Sequence, residues 1–230
     1  MKIAGLKKLS LLDYPSKLAS TIFFQGCNFR CEYCYNKTLI PSQGESYITE
    51  DEVLEYLQER KKVLDAVCLC GGEPILQDIE PFVRKIKAMG YLVKLDTNGS
   101  NPYALADLID ENLVDYVAMD IKTSEAFYSV VTNTEMETSV ITKSMQILIN
   151  SDIDYEFRTT VFNLIDPLDI LDIEDWLKEL SPNKKIKRYC LQQYRDMGDM
   201  RFSHVSYDGL KQYAECLKRV CNEVIIKGEE

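Results

Sequence analysis

Three thiols lie within one eight-residue stretch: Cys27, Cys31 and Cys34, in Gly26-Cys27-Asn28-Phe29-Arg30-Cys31-Glu32-Tyr33-Cys34-Tyr35-Asn36. Thiols spaced in this way are not helix-face decoration, so the chain must wrap around something. A structural zinc ion takes four ligands, and a complete iron–sulfur site commonly takes four cysteines. No fourth Cys or His lies nearby, and the sole histidine is His204. Three ligands leave one iron of a [4Fe–4S] cluster open, and an open metal position is what substrate chemistry needs. Two plainer readings stand beside it: a zinc knuckle that borrows a distant fourth cysteine, and three buried structural cysteines.

Other polar groups fall at similar places. Cys68-Leu69-Cys70-Gly71-Gly72-Glu73-Pro74 combines glycines that permit close backbone approach with a carboxylate able to receive an ammonium group. On its own it is also a fair turn. Asp96-Thr97-Asn98-Gly99 reads as a turn by its Asn-Gly pair, and Met119-Asp120-Ile121-Lys122 reads as a solvated strand end. Arg158 lies inside the apolar run Tyr155–Val161, where a charge should be paired or belong to a site.

Those groups need elements to hold them. Strands are predicted at Thr21–Gln25, Ala66–Cys70, Tyr91–Asp96, Tyr116–Ile121, Tyr155–Val161, Arg188–Gln192 and Glu223–Ile226. Helices are predicted near Thr49–Lys61, Ile79–Met89, Tyr103–Asp110, Thr138–Asn150, Asp169–Leu180 and Tyr207–Val220. Thr49 followed by Glu52 resembles a capping box, and Gly90 stands where a helix would stop. Strands alternating with helices imply a parallel α/β sheet. About six units are too few for an eight-unit barrel, so the expectation is a partial (β/α)6 barrel. Its site should lie at the C-terminal strand ends, where the βα loops gather. The polar motifs all fall at such ends. Cys68 and Cys70 share one strand face, and Cys216 and Cys221 read as parts of one core helix.

The totals exclude several classes. With 230 residues and no long apolar run, one domain over 1–230 is expected, with no membrane span. No signal peptide is legible, so a cytoplasmic protein is expected. A net charge of −10 disfavours nucleic acid as a partner. The small cluster of Lys184, Lys185, Lys187 and Arg188 reads as a solvated strand start. Eight cysteines in such a chain point to metal or redox chemistry rather than to a disulfide framework.

The C-x3-C-x2-C spacing, with an aromatic before the third cysteine, resembles the radical S-adenosylmethionine superfamily. The resemblance implies that Cys27, Cys31 and Cys34 hold the [4Fe–4S] cluster and that Tyr33 lies against the adenine. It implies an open iron that chelates S-adenosylmethionine and reductive cleavage to a 5′-deoxyadenosyl radical. Gly71, Gly72, Glu73 and Pro74 resemble the motif that receives the methionine amine. The Asp-Thr-Asn-Gly and Asp-x-Lys pair resembles that of glycyl-radical-enzyme activases, particularly the pyruvate formate-lyase activating enzyme. By that likeness Asp96, Thr97 and Asp120, with the Ala118 carbonyl, would hold a monovalent cation, while Asn98, Lys122 and Arg158 would stand at the cofactor.

The opening Gly5–Pro15 and the later Gln192-Gln193-Tyr194-Arg195 resemble the anaerobic ribonucleoside-triphosphate reductase activating proteins. Tyr35 departs from that subgroup, which usually has His there, and no auxiliary cluster domain is expected. The implied partners are a glycyl radical enzyme, in the first place anaerobic ribonucleotide reductase, and a flavodoxin or ferredoxin as electron donor. The alternative is a small-molecule enzyme resembling 7-carboxy-7-deazaguanine synthase. A non-catalytic metal module or redox sensor would leave Gly-Gly-Glu-Pro without a purpose.

Overall fold

A computed structural model of the chain describes residues 1–42 and 48–228. Eight strands form one sheet in sequence order: β1 (Ile3–Ser10), β2 (Ala19–Phe24), β3 (Ala66–Gly71), β4 (Leu92–Thr97), β5 (Tyr116–Asp120), β6 (Asp154–Val161), β7 (Ile186–Gln193) and β8 (Cys221–Lys227). β1 pairs antiparallel with β2, and every later pairing is parallel. The helices between them are α1 (Glu50–Arg60), α2 (Glu80–Ala88), α3 (Pro102–Asp110), α4 (Tyr128–Thr132), α5 (Thr138–Asn150), α6 (Pro167–Leu180) and α7 (Tyr207–Leu217). This is the α/β partial-barrel arrangement expected from the alternation.

Local signals explain the boundaries. Thr49 accepts the backbone N–H of Glu52, and Glu52 receives that of Thr49, so the capping box forms. Gly90 follows α2 with a φ of +79°, a conformation that costs any residue with a Cβ. Asp166 and Asp169 make a second capping box at the start of α6. Strand β1 had no sequence counterpart: its Gly5, Lys7 and Lys8 break alternation, and only the pairing with β2 makes it a strand. The expectation for Cys221 is corrected too. Cys216 lies on α7, but Cys221 opens β8.

Alternation along each strand divides the side chains between two regions. Val67, Leu69, Val93, Leu95, Val117, Met119 and Phe157 face the helices and join the main core. The opposite face carries Ala19, Ala66, Cys68, Tyr116 and Ala118, which close a smaller core with Tyr14. Small residues on this inner face leave space above them. Polar inner positions continue each strand toward its C-terminal end: Cys70, Lys94, Asp96, Asp120, Arg158 and Gln192 all line one cavity of about 1350 Å³. Among the described residues no helix is long and apolar enough to cross a membrane.

Candidate functional site

The loop leaving β2 begins at Gly26, with a φ of +98°. Its N–H donates to the Leu39 carbonyl at 2.7 Å, and that of Cys27 to the Ile40 carbonyl at 3.0 Å. Cys27, Cys31 and Cys34 all line the cavity, and none of the three is in a disulfide. The Phe29 N–H donates to Cys27 Sγ at 3.4 Å, and the Asn36 N–H to Cys34 Sγ at 3.3 Å. The Asn98 carboxamide reaches Cys27 Sγ at 3.9 Å. Burial pushes the Cys27 thiol up to about 11 and raises that of Cys31. A bound cationic group would reverse this.

The second glycine motif packs against the first loop. A Cβ on Gly71 would meet the Phe24 backbone nitrogen at 2.4 Å, and one on Gly72 the Gly26 carbonyl at 2.0 Å. The Gly72 N–H donates to Phe24 and the Glu73 N–H to Gly26. The close approach these glycines allow is therefore to the cysteine loop's own backbone. Pro74, also buried, opens a single helical turn behind it.

Glu73 is 1% exposed. One carboxylate oxygen accepts the Thr97 hydroxyl at 2.7 Å, and the other the Asn98 N–H at 2.6 Å. Burial pushes its carboxyl up to about 7 despite these donors and the Ile75 backbone N–H. Asn98 also donates to Asn28 Oδ1 at 2.9 Å, so the end of β4 ties Glu73 to the cysteine loop.

Asp96 and Asp120 are already partnered. Arg158 Nη1 lies 3.0 Å from Asp96 Oδ2, and Arg158 Nε 2.9 Å from Asp120 Oδ1. Lys94 pairs with Asp96, and Lys122 Nζ reaches Asp120 at 2.8 Å. Burial would raise Asp96, but Arg158 and Lys94 outweigh it and hold its carboxyl at about 2. Ala118 stands opposite Asp96 in the ladder. The positive charge between these carboxylates is the protein's own, and Thr97 is engaged with Glu73. Lys94 went unnoticed in the sequence. Its signal was a cation at an inward position of an apolar strand.

Tyr33 is buried and stacks on Phe162, with ring centroids 4.4 Å apart. Among the described residues its hydroxyl has no oxygen or nitrogen partner. His204 and Tyr194 reach the cavity wall as well.

The donor set fits an iron–sulfur cluster. Three thiols of one loop face a common cavity, backbone N–H groups point at two of the sulfurs, and an orphaned hydroxyl waits beside them. Among the described residues no three His, Cys, Asp or Glu side chains converge as ligands of one ion would.

The sequence profile of the radical SAM superfamily matches residues 21–180. A candidate glycyl-radical enzyme activating enzyme of Methanocaldococcus jannaschii is 29% identical across 98% of this chain and 95% of its own length. The pyruvate formate-lyase-activating enzyme of Clostridium pasteurianum is 29% identical over 53% of this chain and 52% of its own. A 7-carboxy-7-deazaguanine synthase of Methanopyrus kandleri is 33% identical over 43% and 47%. Among solved structures, a radical SAM methyltransferase from Sphaerobacter thermophilus superposes with a TM-score of 0.74, at 14% identity, over 95% of this chain and 68% of that one.

Proposed function

The chain belongs to the radical SAM superfamily, and on that premise we propose that it activates a glycyl radical enzyme. Cys27, Cys31 and Cys34 would hold a [4Fe–4S] cluster. Such a cluster supplies reductive cleavage of S-adenosylmethionine to a 5′-deoxyadenosyl radical, which here takes hydrogen from a glycine of a partner protein.

The chain's own residues prepare the place. Glu73, fixed by Thr97 and Asn98, retains free lone pairs for a cationic amine. Tyr33 contributes an apolar ring and an unspent hydroxyl. Arg158 keeps Asp96 and Asp120 neutralised at the strand ends. We assign these carboxylates to holding the arginine and the lysines rather than to a monovalent cation. Cys31 is buried and Cys27 and Cys34 are partly buried, and the cavity leaves room beyond them for a segment of a partner.

The observation that carries the reading is the convergence of three thiols and the Glu73 carboxylate on one cavity. The near full-length match to a relative named for glycyl-radical enzyme activation favours activation over small-molecule chemistry. We place anaerobic ribonucleotide reductase first among partners, on the likeness of Gly5–Pro15 and Gln192–Arg195, with a flavodoxin or ferredoxin as electron donor. We treat the chain as one catalytic domain without an auxiliary cluster.

The test is anaerobic incubation with the candidate reductase, deuterated at its glycines. A glycyl signal in electron paramagnetic resonance, with deuterium in the deoxyadenosine, is expected. Hydrogen drawn instead from a free purine-like molecule would transfer the assignment to the 7-carboxy-7-deazaguanine synthase type.

A further inference from the structure

Tyr35 follows the third cysteine directly, and nothing in the proposed chemistry uses it. Its ring stacks on Tyr194, with centroids 5.8 Å apart and planes 15° from parallel. Its hydroxyl accepts the backbone N–H of Arg195 at 2.5 Å. Both partners open residues 194–206, the connection between β7 and α7, which carries no helix or strand. This segment forms one wall of the cavity through Tyr194, Arg195, Asp196, Met197 and His204.

Further contacts join the same two loops. Arg201 pairs with Glu32, and Lys37 Nζ lies 3.7 Å from Asp199. Tyr194 and Phe202 pack around Phe162, the ring on which Tyr33 stacks. Glu32, Tyr35 and Lys37 therefore touch the segment directly, while Tyr33 reaches it only through Phe162. Glu32 and Tyr33 lie between Cys31 and Cys34, and Tyr35 follows them. Exposed ion pairs contribute little, so the two aromatic contacts dominate. A second tie runs to residues 161–163: the Tyr194 N–H donates to the Val161 carbonyl, the Asn163 N–H to the Ser203 carbonyl and the Ser203 N–H to Asn163 Oδ1, and Phe162 bridges to His204. Between the two ties Met197 is 59% exposed and Met200 fully exposed.

We propose that Tyr35 is a positioning residue that latches the 194–206 segment to the cysteine loop, so that filling the three thiols orders the cavity wall and emptying them releases it. A loop clamped at three cysteines fixes the direction of the side chains between them. A loop with free thiols samples more backbone conformations and loses the register that the Tyr35–Tyr194 stack and the Arg195 hydrogen bond require. The wall that would guide a partner segment is then complete only in loaded protein. This inference rests on the cluster reading of Cys27, Cys31 and Cys34.

The test is amide hydrogen exchange over residues 194–206, in metal-free protein and in protein reconstituted anaerobically with iron and sulfide, with iron content measured on each sample. In loaded protein the Arg195 amide and those of 197–203 should exchange about tenfold more slowly or better. Tyr35→Ala that holds its iron should exchange as the metal-free protein does. Tyr35→Phe keeps the stack and should release only the Arg195 amide; it serves as the deciding variant if Tyr35→Ala fails to retain iron. Equal exchange in loaded and metal-free wild type would overturn the latch. So would wild-type protection of the Arg195 amide in loaded Tyr35→Phe. Protein that takes up no iron would overturn the cluster reading and the latch together, and the iron assay tells these failures apart.

Discussion

Asn98 donates its backbone N–H to the Glu73 carboxylate at 2.6 Å. The same residue's carboxamide reaches Asn28 and Cys27 in the cysteine loop. The group proposed to receive the cofactor amine and the group proposed to bind iron are thus set by one residue at the end of β4.

Glu73 should therefore respond to pH. Burial holds its carboxyl up at about 7, above the ordinary 4.5. Only the ionised form attracts an ammonium group, so S-adenosylmethionine affinity should fall as pH drops below about 7. Charge-assisted contacts contribute about 1.5–3 kcal/mol, so Glu73→Ala should weaken binding about tenfold or more at pH 8. For the unloaded fold the sign is opposite. A raised carboxyl stabilises the folded state below the ordinary value and loses that contribution as pH rises through about 7. Glu73→Gln should then raise the melting temperature of metal-free protein at pH 8 but not at pH 4. Equal shifts at both pH values would refute this.

Cys27→Ala, Cys31→Ala and Cys34→Ala should each abolish iron binding after anaerobic reconstitution, while Cys216→Ala should retain about four irons per chain. Colorimetric iron analysis and the cluster's visible absorbance report this. Stoichiometric zinc without iron in anaerobically prepared protein would contradict it.

Arg158 bridges Asp96 and Asp120 while 11% exposed. Removing one partner of a buried ion network costs about 3–5 kcal/mol, so Arg158→Gln should unfold at markedly lower denaturant. Asp96, held at about 2, contributes stability above its ordinary 3.8 that is lost as pH falls through about 2. In Arg158→Gln this loss should begin at higher pH, as acid-unfolding curves would show. Because the guanidinium already sits between the carboxylates, replacing sodium and potassium with choline should leave wild-type cofactor affinity unchanged. A large loss in choline would restore the cation reading.

Gly72→Ala would drive a methyl group into the Gly26 carbonyl. Overpacking commonly costs about 1–3 kcal/mol, and here the obstacle is backbone that cannot rotate aside. The variant should melt earlier and take up less iron than wild type, because the cysteine loop must shift. Gly5→Ala, where nothing lies within 4 Å of the added carbon and the backbone has no positive φ, should retain wild-type iron uptake.

Much of this architecture was legible without coordinates. Apolar runs ending in Gln25, Cys70, Asp96 and Ile121 alternate with amphipathic stretches, and that alternation alone calls for a parallel sheet with its polar groups at one end. Capping at Thr49 and the stop at Gly90 are equally local, since each depends on residues within four positions. The spacing of the three cysteines raised metal chemistry as an expectation before any fold was known.

Other features had to wait for the fold. Nothing near Asp120 in the sequence says that its charge is met by Arg158, 38 residues on, nor that the Thr97 hydroxyl donates to Glu73. Tyr35 meets Tyr194 across a separation of well over a hundred residues. β1 becomes a strand only because β2 offers it an edge. These contacts depend on which side chains turn inward together and on the register between strands, and both are properties of the assembled sheet. Short-range pattern therefore determined which elements form and at which end the polar groups gather, while packing across the barrel decided which charges neutralise one another and which residues line the cavity with the thiols.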